Sequence, residues 1–116
     1  MISAPLLDNC LVIAGQVAGL CQTRYSPAGL PISRFMLEHH SRQVEADIPR
    51  EVRCKIQVLA CGEALARNAQ GLVPGTLIRV HGFLSRADYR YGETRLVVHA
   101  ERIETLDSAS LKQTED

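Results

Sequence analysis

Arginine is the residue type that offers this chain most of its chemistry. The sequence holds eleven Arg and two Lys. A guanidinium presents a planar fork of N–H donors that binds phosphate at two points and stacks on bases. The basic residues that fit this role on the predicted strands and connections are Arg34, Arg50, Arg53, Lys55, Arg86, Arg90 and Arg95, with His40 beside them. Each of them is equally compatible with being an ordinary solvated surface charge.

Two tyrosines add a second kind of contact. Tyr89 and Tyr91 lie two residues apart, so a strand-like hairpin would show both on one face, where their rings could stack on bases. Packing within the hairpin explains the same spacing equally well.

The distribution of charge is more informative than its total. The formal net charge is zero, which taken alone argues against a nucleic-acid-binding protein. Residues 24–95, however, hold eleven basic and seven acidic side chains, a net of +4, whereas residues 96–116 hold two and five, a net of −3. The middle of the chain is therefore the part that favours an anionic partner.

Histidine and cysteine do not form a recognisable site. The four Cys and four His include no CxxC or HxxxH pair, and structural zinc sites normally use such close pairs, so we predict no metal and no cofactor. An acid–base centre needs a carboxylate or nucleophile converging on the histidine, and the sequence shows only scattered candidates. The glycine-containing segment 71–75 is followed by Thr76-Leu77, which does not fit a nucleotide-binding loop. We therefore predict a binding protein, not an enzyme.

Composition limits the class of protein. A chain of 116 residues that is 46% hydrophobic and 22% charged is expected to be one globular domain. No run of 18 apolar residues is present, and the N-terminus lacks the basic region of a signal peptide, so we expect no membrane contact and a cytoplasmic location. The cysteines are accordingly expected to be reduced.

Hydrophobic alternation and turn residues predict five strands and one helix. The domain is predicted to span residues 1–106, followed by a polar, acidic tail at 107–116. Residues 41–51 are polar and are predicted to form a long, mobile connection, and residues 86–93 a charged one. The elements, in order, are strands at Asn9–Tyr25, Ile32–His40 and Val52–Cys61, a helix at Glu63–Gln70 that ends at Gly71, and strands at Leu77–Leu84 and Thr94–Leu106.

The alternation also predicts which side chains form the core. Phe35 and Leu37 are expected to point inward, Gly15 to mark a bend in the first strand, and Phe83 to lie in the core. The third strand should place Val52, Cys54, Ile56, Val58 and Ala60 on its inner face, and the fifth strand Leu96, Val98, Ala100 and Ile103.

The order of the elements indicates a fold. Three strands, one short helix and two further strands is the order of the OB-fold, an all-β, five-stranded Greek-key barrel that binds oligonucleotides or oligosaccharides. An SH3-like barrel is the main alternative, but it rarely carries a helix at that point. Because a fold does not determine a function, the site has to be argued separately.

Several segments resemble a known family. The chain from Asn9 to Ala14-Gly15 opens like the bacterial single-stranded DNA-binding proteins (SSB). The turn Ser26–Pro31, the following Phe-Met-Leu-Glu-His phrase at residues 35–39, and the segments Gly82–Ser85 and Leu96–Glu101 resemble the primosomal replication protein N (PriB) family more specifically. The similarity covers about residues 9–108, nearly the whole chain.

That resemblance implies a function and a set of partners. Members of the family are homodimeric OB-fold proteins of the replication-restart primosome that bind single-stranded DNA and assist the PriA helicase; DnaT and SSB are further implied partners. One departure stands out: the family member that is best known carries aromatic residues between strands two and three, and residues 41–52 here contain none. Stacking contributes about 1–3 kcal/mol per base, so we expect this binding to depend more on charge.

Two other functions fit the same fold. An SSB-type coating protein would share the barrel but usually ends in an acidic tail with a hydrophobic tip, and this chain ends in Gln113–Asp116. An OB-fold module for proteins or oligosaccharides, with little DNA affinity, would need no basic face. The salt dependence of binding to single-stranded DNA distinguishes this last function.

Overall fold

The computed structural model describes residues 6–87 and 95–107. It contains the predicted elements in the predicted order, with longer strands at the second and third positions. Their bounds are β1 Leu11–Tyr25, β2 Pro31–Glu45, β3 Ile48–Cys61, α1 Glu63–Gln70, β4 Leu77–Arg86 and β5 Leu96–Thr105.

The strands close into a barrel in the order β1-β2-β3-β5-β4. All neighbouring pairs are antiparallel except β3 and β5, which run parallel over a short stretch. The barrel closes because β1 is shared: its first half pairs with β4 and its second half with β2. This is the OB-fold topology that the order of elements predicts.

Two glycines allow β1 to bend across its neighbours. At Gly15 a Cβ atom would lie 2.3 Å from the carbonyl oxygen of Glu38, so only glycine permits β1 to pass β2 this closely. Gly19 has a φ of 80° within an irregularity between Ala18 and Gln22, where a bulge re-aims the strand. The bend predicted at Gly15 is confirmed.

The core lies inside the barrel and under the helix. Side chains from every strand meet there, including Val17, Leu37, Val58, Val80 and Val98. The helix closes one end of the barrel with its buried Ala66 and Ala69. The buried Ser33 hydroxyl donates to the Ala66 carbonyl oxygen over 3.1 Å, which fixes the helix against β2.

The predicted mobile connection at residues 41–51 is wrong. β2 and β3 continue as a regular ladder to a two-residue turn at Ala46 and Asp47, whose φ angles of 53° and 65° are those of a type I′ hairpin. Both faces of this extension meet water, since residues 42–51 are all exposed. No hydrophobic alternation is therefore required there, and the strand signal is lost. We call residues 40–53 the β2–β3 arm.

Some predicted core positions lie elsewhere. Phe83 shares the outer side of β4 with Arg79 and His81, because inward positions on that strand are occupied by Ile78 and Val80. Leu96 and Cys54 have the inward alternation but lie beyond the end of the barrel, where they are exposed. The predicted inner residue Val52 is half-buried for the same reason.

The helix ends as predicted at Gly71, with an ordinary right-handed φ of −82° instead of a left-handed cap. Across the described ranges, no helix has the length and apolarity needed to cross a membrane.

Candidate nucleic-acid interface

The outer faces of β2 and β3 form one continuous polar surface. Because Phe35 and Leu37 point into the core, the even-numbered residues of β2 point outward, and they pair with the odd-numbered residues of β3. Across this surface the cross-strand neighbours are Arg34 with Leu59, Met36 with Gln57, Glu38 with Lys55, His40 with Arg53, and Arg42 with Glu51.

A groove of about 600 Å³ lies where the arm leaves the barrel. Arg53, Lys55 and His40 line it together with Glu38, and β1 and β4 supply the other wall. The groove thus gathers three of the basic residues that the sequence singles out. Its lining residues are Gly15, Gln16, Glu38, His39, His40, Arg53, Cys54, Lys55 and Leu77.

Part of the positive charge on the arm is neutralised locally. His40 Nε2 lies 2.7 Å from Glu51 Oε1, and Arg53 approaches the same carboxylate at 4.0 Å. The hydrogen bond from His40 lowers the pKa of Glu51, and the nearby positive charge of His40 lowers that pKa further. Arg50 forms an ion pair with Glu45 near the turn. These cations are therefore partly committed to the arm itself.

Other predicted cations keep their charge available. Within residues 6–87 and 95–107, the side chains of Arg34, Lys55 and Arg86 form no ion pair or hydrogen bond. Lys55 and Arg86 are exposed, and Arg34 is half-buried. A cation without an internal partner loses nothing when a phosphate approaches it. We therefore rank these three above Arg50 and His40 as phosphate ligands.

The connection between β4 and β5 is described only at its ends. Arg86 is the last residue of β4, and the backbone N–H of Ala87 donates to the carbonyl oxygen of Arg95 over 2.8 Å. Arg95 is exposed just before β5. The predicted contacts Tyr89, Arg90 and Tyr91 lie outside the described residues, as does the predicted tail after Asp107.

The structure shows a cluster that the sequence analysis missed, on the outer face of β4 and β5. The Glu104 carboxylate accepts from His81 Nε2 at 2.6 Å, from Arg102 at 2.7 Å and from Arg79 at 3.3 Å. The hydrogen bond from His81 is the largest cause that lowers the pKa of Glu104. Alternating polar residues at 79/81 and 102/104 on paired strands are the signal that could have revealed it.

His39 is a structural residue of the groove wall. Its Nδ1 donates to the Ala14 carbonyl oxygen over 2.6 Å, and its Nε2 lies 2.7 Å from the Ser41 hydroxyl. Both ring nitrogens are therefore engaged in holding β2 against β1. The four cysteines are free thiols, and the described residues bring together no group of three or more side chains suited to a metal ion.

Comparisons with known proteins agree with this geometry. A model described as another single-strand binding protein family matches residues 9–102. The chain is 43% identical over 102 residues to the replication restart protein PriB of Actinobacillus pleuropneumoniae serotype 5b (strain L20), which covers 87% of this chain and 82% of that protein.

Solved structures give the same result. The structure of PriB from Ralstonia solanacearum superimposes with a TM-score of 0.72 and 29% identity, covering 86% of this chain and 100% of that one. The small single-stranded DNA-binding protein from Streptomyces coelicolor does so with a TM-score of 0.70 and 27% identity, covering 90% and 97%.

Proposed function

This chain belongs to the single-strand binding protein family, among its replication restart (PriB) members, and on that premise we propose that it binds single-stranded DNA across the outer face of its barrel. The observation that carries the proposal is the set of cations on this face that have no partner within the described residues: Arg34 and Lys55 on the β2–β3 surface, and Arg86 at the end of β4. Arg53 and Lys55 also line the groove beside them.

Binding of this kind follows from elementary electrostatics. Each cation that meets a phosphate releases a counterion, so affinity falls as salt rises, by about 0.7 log units per phosphate contact for each tenfold increase in salt. Phosphate contacts carry no base information, so all sequences should bind alike. Arg90, Arg95, Arg50 and His40 remain proposed contributors, with Tyr89 and Tyr91 as stacking residues.

We propose that the protein serves replication restart through binding and performs no catalysis. The relatives are named replication restart proteins, and the resemblance implies that the PriA helicase is the partner, with DnaT and SSB as further ones. A cytoplasmic location follows from that role. We assign residues 1–106 to the DNA-binding domain and 107–116 to a polar tail.

A homodimer is supported by the edge of β1. Residues 11–15 pair with β4 on one side, and on the other side no strand of the described chain pairs with them. His39 engages only the Ala14 carbonyl there. Val12 is 58% exposed on the same segment. An open, apolar strand edge is a place where a second copy can add its own strand.

The proposed function is tested by fluorescence anisotropy with two DNA probes. The first is a labelled dT oligomer, for which we expect saturable binding that weakens steeply with salt. The second is a forked duplex to which PriA is already bound, for which we expect a further anisotropy increase when this protein is added. No binding to the dT oligomer at low salt would contradict the DNA function, whereas no effect at the fork alone would contradict only the proposed partner.

A further inference from the structure

Two aromatic rings on the outer face of the barrel are already stacked. Phe83 on β4 and His99 on β5 are direct cross-strand partners. Their ring centroids are 4.9 Å apart and their planes differ by 9°. Both side chains are half-buried, and neither belongs to the buried core cluster. The barrel core therefore does not require this pair.

The imidazole of His99 is not used by the protein for hydrogen bonding. Within the described residues His99 makes no side-chain hydrogen bond or ion pair, its contact with Phe83 being through the ring. None of the fully buried side-chain nitrogens in those ranges lacks a partner, so the two ring nitrogens of His99 must reach solvent. The ring thus offers a donor and an acceptor to a molecule outside.

The stacked pair continues a row across three strands of the barrel. Leu59 on β3 is the neighbour of His99, and Arg34 on β2 is the neighbour of Leu59. With strands about 4.8 Å apart, the row from Arg34 to Phe83 spans roughly 14 Å. It ends at a cation without a partner among the described residues, and Arg86 lies three residues beyond Phe83 on β4.

We propose that Phe83 and His99 form a base-stacking platform for single-stranded DNA, with Arg34 holding the adjacent phosphate. The proposal rests on the proposed function and deepens it. Planar rings stack with any base, so a platform of this kind adds affinity without sequence preference. It supplies, from β4 and β5, stacking that the arm cannot supply, because residues 41–52 contain no aromatic side chain.

The other role for such a pair is purely structural, since cross-strand aromatic pairs also stabilise sheets. The two roles differ in what a substitution changes. A structural pair affects the stability of the protein but not the affinity of the folded protein for DNA. A platform affects affinity, and the loss remains at high salt, because stacking is not a counterion effect.

Four variants separate these roles. Phe83→Leu and His99→Gln each remove one ring of the platform, and Phe83→Trp keeps an aromatic ring at position 83. Phe35→Leu is the matched control, because Phe35 is 3% exposed in the core and its loss perturbs stability without touching the outer face. Affinity for a labelled dT oligomer is measured by anisotropy at low and high salt, alongside thermal unfolding of each variant.

We expect Phe83→Leu and His99→Gln to weaken binding at least about fivefold at both salt concentrations, the lower end of the stacking range. Phe83→Trp should stay within about twofold of the unmodified protein, as should folded Phe35→Leu. Unchanged affinity for both ring-removing variants would overturn the platform while leaving the proposed function standing. Absence of binding by the unmodified protein would instead remove the proposed function itself.

Photo-cross-linking of the unmodified protein keeps the test independent of variant folding. A dT oligomer carrying 5-iodo-deoxyuridine is irradiated in the complex, and the adducts are located by mass spectrometry. We expect adducts on Phe83 or His99. Adducts confined to the arm or to Tyr89 and Tyr91 would overturn the platform.

Discussion

At the scale of single residues, what distinguishes the cations of this barrel is whether the protein already uses them. His40 and Arg50 have carboxylate partners on the arm, whereas Lys55 and Arg34 have none within the described residues. Exposed ion pairs contribute little to stability, about 0–1 kcal/mol, but they do reduce the charge that a ligand meets. Sequence alone could name the cations but could not rank them, because partnership depends on the register of β2 against β3.

The connection between β4 and β5 can be tested at the same scale. Replacing Arg90 and Arg95 with Ala should lower affinity for all sequences alike and flatten the salt dependence, since phosphate contacts are read through charge. Replacing Tyr89 and Tyr91 with Leu should have a smaller effect that persists at high salt. Anisotropy titrations over a range of salt provide the measurement. If the arginine variant binds normally while the tyrosine variant does not bind, stacking dominates this connection and our assignment is inverted.

At the scale of elements, the sequence predicts a strand well where one of its faces is in the core. Phe35 and Leu37 alternate with polar residues, so β2 is recognisable up to His40. Beyond that point both faces meet water, and the arm is stabilised by its tight turn and by cross-strand pairs such as His40 with Glu51. Such pairs leave no periodic hydrophobic signal, which is why the arm is predicted wrongly as a mobile connection.

Gly82 is the element-scale feature with the clearest consequence. A Cβ atom at this position would lie 1.9 Å from the backbone carbonyl oxygen of His99, so β4 and β5 could not keep their register. We expect Gly82→Ala to destabilise the protein by about 3 kcal/mol or more, measured by chemical denaturation. Gly71→Ala is the matched control: its nearest contact would be 3.7 Å and its φ is ordinary, so its effect should stay within about 1 kcal/mol. Equal stabilities of the two variants would contradict the close approach.

The Glu104 cluster predicts how the β4–β5 pair responds to acid. Hydrogen bonding from His81 lowers the pKa of Glu104 below the ordinary value of 4.5, so the carboxylate stabilises the folded state above that pH. This contribution is lost as pH falls through the lowered pKa of the folded state. Glu104→Gln should therefore be less stable than the unmodified protein at pH 7, and the two should converge below pH 4.5. Denaturation curves that stay parallel from neutral to acid pH would show that Glu104 contributes nothing.

At the scale of the whole molecule, the closed barrel and the fold family could be predicted from the sequence. The order of elements and the alternation of Val58 and Ala60 were sufficient for the fold, and the segments from Gly82 to Ser85 and from Leu96 to Glu101 for the family. The groove and the Phe83–His99 stack could not be predicted, because each depends on strands distant in sequence. Hydrophobicity alone placed Phe83 in the core, although the alternation of β4 places it outside.

The open edge of β1 predicts the assembly state. We expect light scattering at micromolar concentration to give twice the chain mass of 12.8 kDa, because strand addition at residues 11–15 would cover the edge. A mass of 12.8 kDa would contradict the homodimer.

The most direct test of the account is the salt dependence of DNA binding when the cations without partners are removed. Arg34→Gln and Lys55→Gln are combined, with Arg67→Ala on the helix as the control, and affinity for a dT oligomer is measured against salt concentration. The double variant should lose about 1.4 from the slope, roughly 0.7 for each phosphate, and so bind about 25-fold more weakly at 0.1 M salt. The control should match the unmodified protein. A double variant that keeps both its affinity and its salt slope would contradict the claim that this face holds DNA.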